Sequence, residues 1–249
     1  MRQALTGEKE KIIINHATKR RAVMHRQRQY YEAYEDRYCQ VHKENLRWFS
    51  EEPSSIVAQI MREYQITPDK KLLEVGCGEG RDALYLLKCG YNVLASDISP
   101  EAIRFCREEN PGFAEHFQVL NCITDSLEDR FDFIFAVAVI HMLVSHQDRT
   151  GFYQFVRRQL SDTGIALICT MGDGEQELCS DISKAFDLQE RIHEQTGKRV
   201  YIAGTSCRIV SFASFRKELA AGGLKILKEG VTAVEPDFPQ MMYAVVCRQ

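Results

Sequence analysis

The chain has 249 residues, 45% of them hydrophobic, which is enough for one large core and fits the size of a single α/β domain. Its formal net charge of −3 gives no overall attraction for a phosphate backbone, which argues against nucleic acid as the partner of the whole surface. No apolar run approaches the roughly 18–20 residues needed to cross a bilayer, and the three isoleucines at 12–14 are too few for a signal-peptide core, so a cytoplasmic protein with no membrane partner is expected.

Nine cysteines, an odd number with no C-x-x-C pair, fit neither a disulfide framework nor a zinc site and read as reduced thiols with no metal role. Charge is uneven along the chain. Residues 1–30 hold eight Lys or Arg against two Glu, either an arm that touches nucleic acid or the solvated face of a helix.

Residues 8–50 contain neither Gly nor Pro and predict one or two helices. Tyr31, Tyr34, Tyr38 and His42 recur at three- and four-residue spacing and so share one helical face. With Trp48, that stripe forms either a lid whose aromatic faces meet substrate or plain core packing. The predicted organisation is a helical cap over 1–52 and one domain over 53–249. An amphipathic helix opens at Pro53-Ser54-Ser55 and ends before Pro68.

Beyond it, short apolar runs alternate with helical patterns, the signature of βαβ units on a mostly parallel sheet. Strands are predicted at 71–75, 92–96, 117–120, 131–137 and 164–170, with helices at about 80–89, 100–109, 147–160 and 212–222. The runs at 224–231 and 241–246 have no room for a crossover helix between them and predict an antiparallel pair. Residues 172–210 form an insertion expected to hold a helix at about 176–190, a hairpin around Thr196 and Gly197, and a polar turn at Gly204-Thr205-Ser206. It follows the fifth strand, beside the carboxyl ends where open α/β sheets bind ligands, and so is expected to shape a substrate pocket.

The most informative stretch is LLEVGCGEGRDALYL, residues 72–86. An apolar strand runs straight into alternating glycines and then a helix, so the backbone turns tightly and a ligand can approach it closely. The second strand ends at Asp97, a carboxylate placed to accept both hydrogen bonds from a ribose diol. A dinucleotide fingerprint counted from Gly76 would need glycine where Arg81 stands, so that reading fails.

The acidic-x-Gly-x-Gly-x-Gly run from Glu74 to Gly80 resembles the nucleoside-binding loop of class I S-adenosylmethionine-dependent methyltransferases. The segment GCGEGRDALYL followed by Gly90-Tyr91 is most similar to the tellurite-resistance-type and thiopurine-type branches. The resemblance implies a Rossmann-like α/β fold: a seven-stranded, mostly parallel sheet with a final antiparallel strand, helices on both faces, and here an N-terminal helical extension. It also implies S-adenosylmethionine as cofactor and S-adenosylhomocysteine as product. The binding set carried over is Glu74, Gly76, Cys77, Gly78 and Gly80 in the loop, Asp97 and Ile98 at the ribose, Asn121, Cys122 and Ile123 at the adenine, and Ala138 after the fourth strand. Asn121 stands where the family usually has Asp.

Several acceptor classes lack their marks. There is no Asn or Asp followed by Pro-Pro and an aromatic after the fourth strand, no Pro-Cys, and no acidic metal ligand among residues 136–141. A small-molecule methyl acceptor is the leading expectation, with an RNA or protein methyltransferase, or a non-catalytic module that holds the cofactor, as alternatives. Near the expected methyl position stand His141 and Met142. His141 is either a base, its ordinary pKa of about 6.5 being suitable, or a packing residue beneath the cofactor. Arg208, after the polar turn, either clamps an anionic substrate or serves as a structural or surface arginine. Arg81 and Asp82 are expected to orient the loop rather than to touch substrate.

Overall fold

The computed structural model describes residues 28–48, 51–193 and 195–249; the basic segment at 1–27, with the part of the predicted helical region that falls on it, lies outside the described residues. A 3-10 turn at Tyr30–Glu32 leads into α1 (Ala33–Lys43), and α2 (Ser55–Glu63) follows. The alternation then runs β1 (Lys71–Val75), α3 (Arg81–Lys88), β2 (Asn92–Asp97), α4 (Pro100–Glu109), β3 (Phe117–Val119), β4 (Phe131–Val137), α5 (His146–Gln159) and β5 (Leu160–Met171). After the insertion come α6 (Phe212–Ala221), β10 (Leu224–Val234) and β11 (Phe238–Arg248).

The seven main strands lie in the order β10-β11-β5-β4-β1-β2-β3, with β11 antiparallel to both its neighbours and the remaining pairs parallel. This is the seven-stranded sheet expected from the sequence. Both its faces are covered, which is why β4 reads as a nearly unbroken apolar run. Phe133 and Phe135 point into the core under α2, α3 and α4, whereas Ile134 and Ala136 point into the core under α5 and α6. Serines start two of the predicted helices: Ser99 accepts from Ala102 N at 3.0 Å ahead of Pro100, and Ser145 accepts from Asp148 N at 3.1 Å.

The chain moves outward from β1 to β2 and β3, then crosses back to place β4 on the other side of β1. Strand order reverses there, so a crevice opens between the carboxyl ends of β1 and β4, the position where such sheets take ligands.

The insertion departs from expectation. In place of a helix at 176–190 there are β6 (Leu178–Cys179), a 3-10 turn at Ile182–Lys184 and β7 (Leu188–Ile192), followed by β8 (Arg199–Ala203) and β9 (Arg208–Ile209). Long-range pairing decides this: β6 pairs with β9, and β7 pairs with β8 around the hairpin at Thr196 and Gly197. Val200 and Ile202 alternate inward on β8 against Val41 of α1, a period-two burial that needs a strand and that a helix cannot satisfy. Neighbouring β7 keeps Leu188 and Ile192 exposed, so its own sequence gives little sign of its pairing.

One buried ion pair ties α5 to α6. Arg149 is 0% exposed; its Nε donates to Glu218 at 2.9 and 3.0 Å, its Nη2 at 2.6 Å, and its Nη1 reaches the carbonyls of Ile140 and Leu143. Removing one partner of such a pair strands the other charge in the core. Glu218→Gln and Arg149→Met should each lower unfolding stability by about 3–5 kcal/mol in urea titrations, and a loss below about 1 kcal/mol would show that the pair is not what joins these helices.

Candidate functional site

The crevice is built on the turn from Val75 to Arg81. Gly76 N and Cys77 N both donate to Ser96 O, at 2.7 and 2.9 Å, which fastens the loop to the end of β2. Gly76 (φ +73°) and Gly78 (φ +53°) adopt left-handed conformations that L side chains rarely take. A Cβ on Gly76 would lie 2.4 Å from Val139 Cγ2, and one on Gly78 would lie 2.6 Å from the Tyr38 hydroxyl. Asp97 accepts from Gly78 N and Ser99 N, both at 2.9 Å, while its burial pushes the carboxyl above its ordinary range. Just past β4, Ala138 holds φ +60°, and strain of this kind in a non-glycine residue gathers at functional sites.

A cavity of about 340 Å³ lies over this loop. Glu74, Gly76, Cys77, Gly78, Asp97, Ile98, Asn121, Cys122, Ile123 and Ala138 all line it, as do Tyr31 and Tyr34 of the cap. Gly80 does not: it starts α3 at φ +81° beneath the loop, packed near Cys106 and Phe117. The Asn121 side chain turns inward on its own segment, its Oδ1 accepting from Ile123 N at 3.0 Å. Burial, reinforced by Asp97, pushes the Cys122 thiol up to about 12, so it remains a neutral wall of the cavity.

Beside it lies a second cavity of about 650 Å³, and Tyr34, Met142 and Phe238 line both. His141 lines this second cavity, 4% exposed, with Nδ1 buried and without a hydrogen-bond partner. Burial, followed by the charges of Arg149 and Arg37, depresses its imidazole to about 3, so the ring is neutral at physiological pH. Arg208 lines neither cavity. Its Nη1 donates to Val144 O at 2.9 Å and its Nη2 stands 3.6 Å from Glu218, so the guanidinium is spent on the α5–α6 joint.

Residues 73–168 match the family model described as Methyltransferase domain. The deciding pair of observations is this match and the seven-stranded sheet carrying the glycine loop at its switch point. Residues 73–168 are a class I S-adenosylmethionine-dependent methyltransferase domain. Among curated relatives, the O-antigen chain terminator bifunctional methyltransferase/kinase WbdD of Escherichia coli is 30% identical over 129 residues, 49% of this chain and 18% of that protein. The probable S-adenosyl-L-methionine-dependent methyltransferase TehB of Haemophilus influenzae is 31% identical over 77 residues, 29% of this chain and 26% of that one. The chain thus spans about a quarter or less of the length of these two relatives. In three dimensions the glycopeptide N-methyltransferase MtfA, solved with S-adenosyl-L-methionine, superposes with a TM-score of 0.59 at 18% identity over 82% of this chain and 91% of that one, a likeness of fold.

The residues fit the cofactor of this domain. Glu74 is 4% exposed, lines the cavity, and keeps Oε2 without a partner; burial drives its carboxyl well above the ordinary range, a cost that a ligand ammonium beside it would offset. Asp97 offers the buried carboxylate for vicinal hydroxyls, and the glycine turn is the cradle that any Cβ would fill.

Sequence reasoning missed Glu79, which occupies a variable position inside the glycine motif. Its carboxylate accepts from Trp48 N at 2.8 and 3.0 Å and pairs with His42 Nε2 at 3.0 Å, while His42 Nδ1 meets Glu101 at 2.8 Å. Trp48 and α1, through His42, are therefore latched onto the glycine loop. Phe238 was also missed, because its place at the site comes from the pairing of β11, with β10 at Val234 and with β5 from Met241 onward.

Two outcomes follow for these groups. Asp97→Ala should weaken S-adenosylhomocysteine binding by roughly 2–4 kcal/mol in calorimetry, with Gly76→Val at least as damaging and NAD not bound; wild-type affinity in both variants would place the cofactor elsewhere. For His42, burial lowers proton affinity, but the hydrogen bonds and charges of Glu79 and Glu101 outweigh it and raise the pKa. The folded-state value thus exceeds the unfolded one of about 6.5, so this stabilisation is complete below that pH and is lost as pH rises through the folded value. Melting temperature should decline over that rise, and His42→Gln should flatten the decline; equal slopes would show that the latch does not titrate.

Proposed function

We propose that the chain transfers a methyl group from S-adenosylmethionine to a small-molecule acceptor held in the second cavity. The observation that carries this reading is the pair of adjoining cavities. The larger, about 650 Å³, falls within the roughly 300–1,000 Å³ typical of small-molecule sites and meets the cofactor cavity along Tyr34, Met142 and Phe238. Bound over the glycine loop, the cofactor supplies an electrophilic sulfonium methyl. The work of the protein is to hold the acceptor in line with it and to keep water out.

The division of labour follows the fold. Residues 1–52 act as the cap and residues 53–249 as the methyltransferase domain, whose insertion at about 172–210 walls the acceptor cavity. Tyr34 and Phe238 form the shared aromatic boundary with Tyr31 on the cofactor side, and the latch through Glu79 couples closure of the cap to an ordered cofactor loop. His141 acts as a neutral hydrogen-bonding wall residue. A group whose conjugate acid forms only near pH 3 is a weak base at neutral pH, which suits an acceptor that ionises unaided, such as a thiol.

Labelled methyl from S-adenosylmethionine should appear on members of a panel of thiols, tellurite, halides and other small metabolites, and not on bulk RNA or protein; transfer to RNA or protein alone would overturn the reading. Across pH 5–8 the rate should show no inflection from His141. Removal of residues 1–48 should reduce turnover at least about a hundredfold, since misplacement at the reacting centre is that costly; normal kinetics in the truncated chain would contradict the role of the cap.

A further inference from the structure

Arg37, on α1, is 9% exposed and lines the second cavity. Its Nε donates to Ala203 O at 3.3 Å, and its Nη2 to Ala203 O at 3.1 Å, Gly204 O at 3.1 Å and Thr205 Oγ1 at 2.6 Å. Every one of these acceptors is uncharged. Among the described residues no carboxylate pairs with this guanidinium, and no acceptor is found for the donors on Nη1. Taking a cation out of water costs several kcal/mol unless an opposite charge meets it. The guanidinium is also held rigidly, 4.7 Å from the Trp48 ring centroid and 5.2 Å from that of Tyr34.

The surroundings add positive rather than negative charge. Lys184 and Arg191 line the same cavity. Of the two carboxylates there, Asp237 pairs with Arg81 at 2.8 Å, and Asp181 accepts from Ser183 N at 3.0 Å and Ser183 Oγ at 2.7 Å. Both are committed to neighbours. His141 contributes a buried, unpartnered Nδ1 to the same space.

We propose that the second cavity takes a methyl acceptor bearing one anionic group, a carboxylate or a phosphate ester, which the free Nη1 donors of the buried Arg37 guanidinium receive with Lys184 and Arg191 in support. The proposal rests on the methyltransferase reading above and adds the charge class of the acceptor. A planar guanidinium with free donors on one nitrogen is shaped for oxyanions. Because Tyr34 packs against Arg37 and also lines the cofactor cavity, the anion binds about one side chain away from the methyl site, and the reacting atom lies a few bonds from the charge.

Trp48, the only tryptophan in the chain, reports on this site through its intrinsic fluorescence. The full chain, saturated with S-adenosylhomocysteine, is titrated with inorganic phosphate, with propionate and with the neutral isostere propionamide at constant ionic strength. A saturable response to phosphate or propionate is expected, and none to propionamide. Stronger binding of phosphate assigns a phosphate ester; stronger binding of propionate assigns a carboxylate. Arg37→Gln should weaken the anion at least about tenfold, and Arg37→Lys should fall between, keeping the charge but losing the fixed Nη1 donors. No saturable response to either anion, equal response to propionamide, or an unchanged response in a folded Arg37→Gln protein overturns the proposal. If that variant does not melt cooperatively, the wild-type contrast between propionate and propionamide decides alone. Failure to bind S-adenosylhomocysteine would strike the methyltransferase reading, whereas its binding without anion binding strikes only this inference.

Discussion

The absence of room for a Cβ between β1 and α3 is the constraint on which the rest of the site depends. Gly76 lies against Val139, at the end of β4, and Gly78 lies against the hydroxyl of Tyr38, in the cap. Three elements far apart in the sequence thus meet around one turn of backbone. Asp97 locks it from β2 through Gly78 N. The conformational cost of left-handed residues is borne here because only a bare backbone allows strand, cap and ligand to converge.

From that turn α1 and the chain after it are tied to the rest of the fold. Glu79 anchors Trp48 and His42, His42 reaches α4 through Glu101, and Tyr30 receives the amides of Val144 and Ser145 at 2.8 and 3.1 Å while donating to Asp148 at 2.7 Å. On its other side, α1 is pinned to the insertion by Arg37 and by Tyr34, whose hydroxyl donates to Ser206 O at 3.1 Å. One helix therefore borders both cavities and bonds to the walls of both. Order in the glycine loop and the shape of the second cavity are thus tied to the same helix.

The sheet, its antiparallel last strand and the glycine loop were legible because their signals are local: short apolar runs alternating with helical patterns, and a strand-turn-helix glycine pattern. The strands at 178–209 were not, since β7 exposes its apolar residues and exists by pairing with β8, which in turn packs on α1. Arginines were harder still. Arg208 stood out by its polar neighbours, yet Val144 and Glu218 consume it, whereas Arg37 lay in a helix rich in charged residues with nothing in its spacing to mark it as buried. His141 was found by position along the chain, but its depressed basicity comes from burial and from Arg149 and Arg37, which sequence does not place beside it.

The central claim, that the glycine-loop crevice and the cap together form the cofactor site, is tested most directly by amide hydrogen exchange with and without S-adenosylmethionine. Protection should rise in residues 74–80, 97–99, 120–123 and 137–143, and with them in α1, through the Glu79 latch. Protection confined to other surfaces, or the loop responding while α1 does not, would contradict the account.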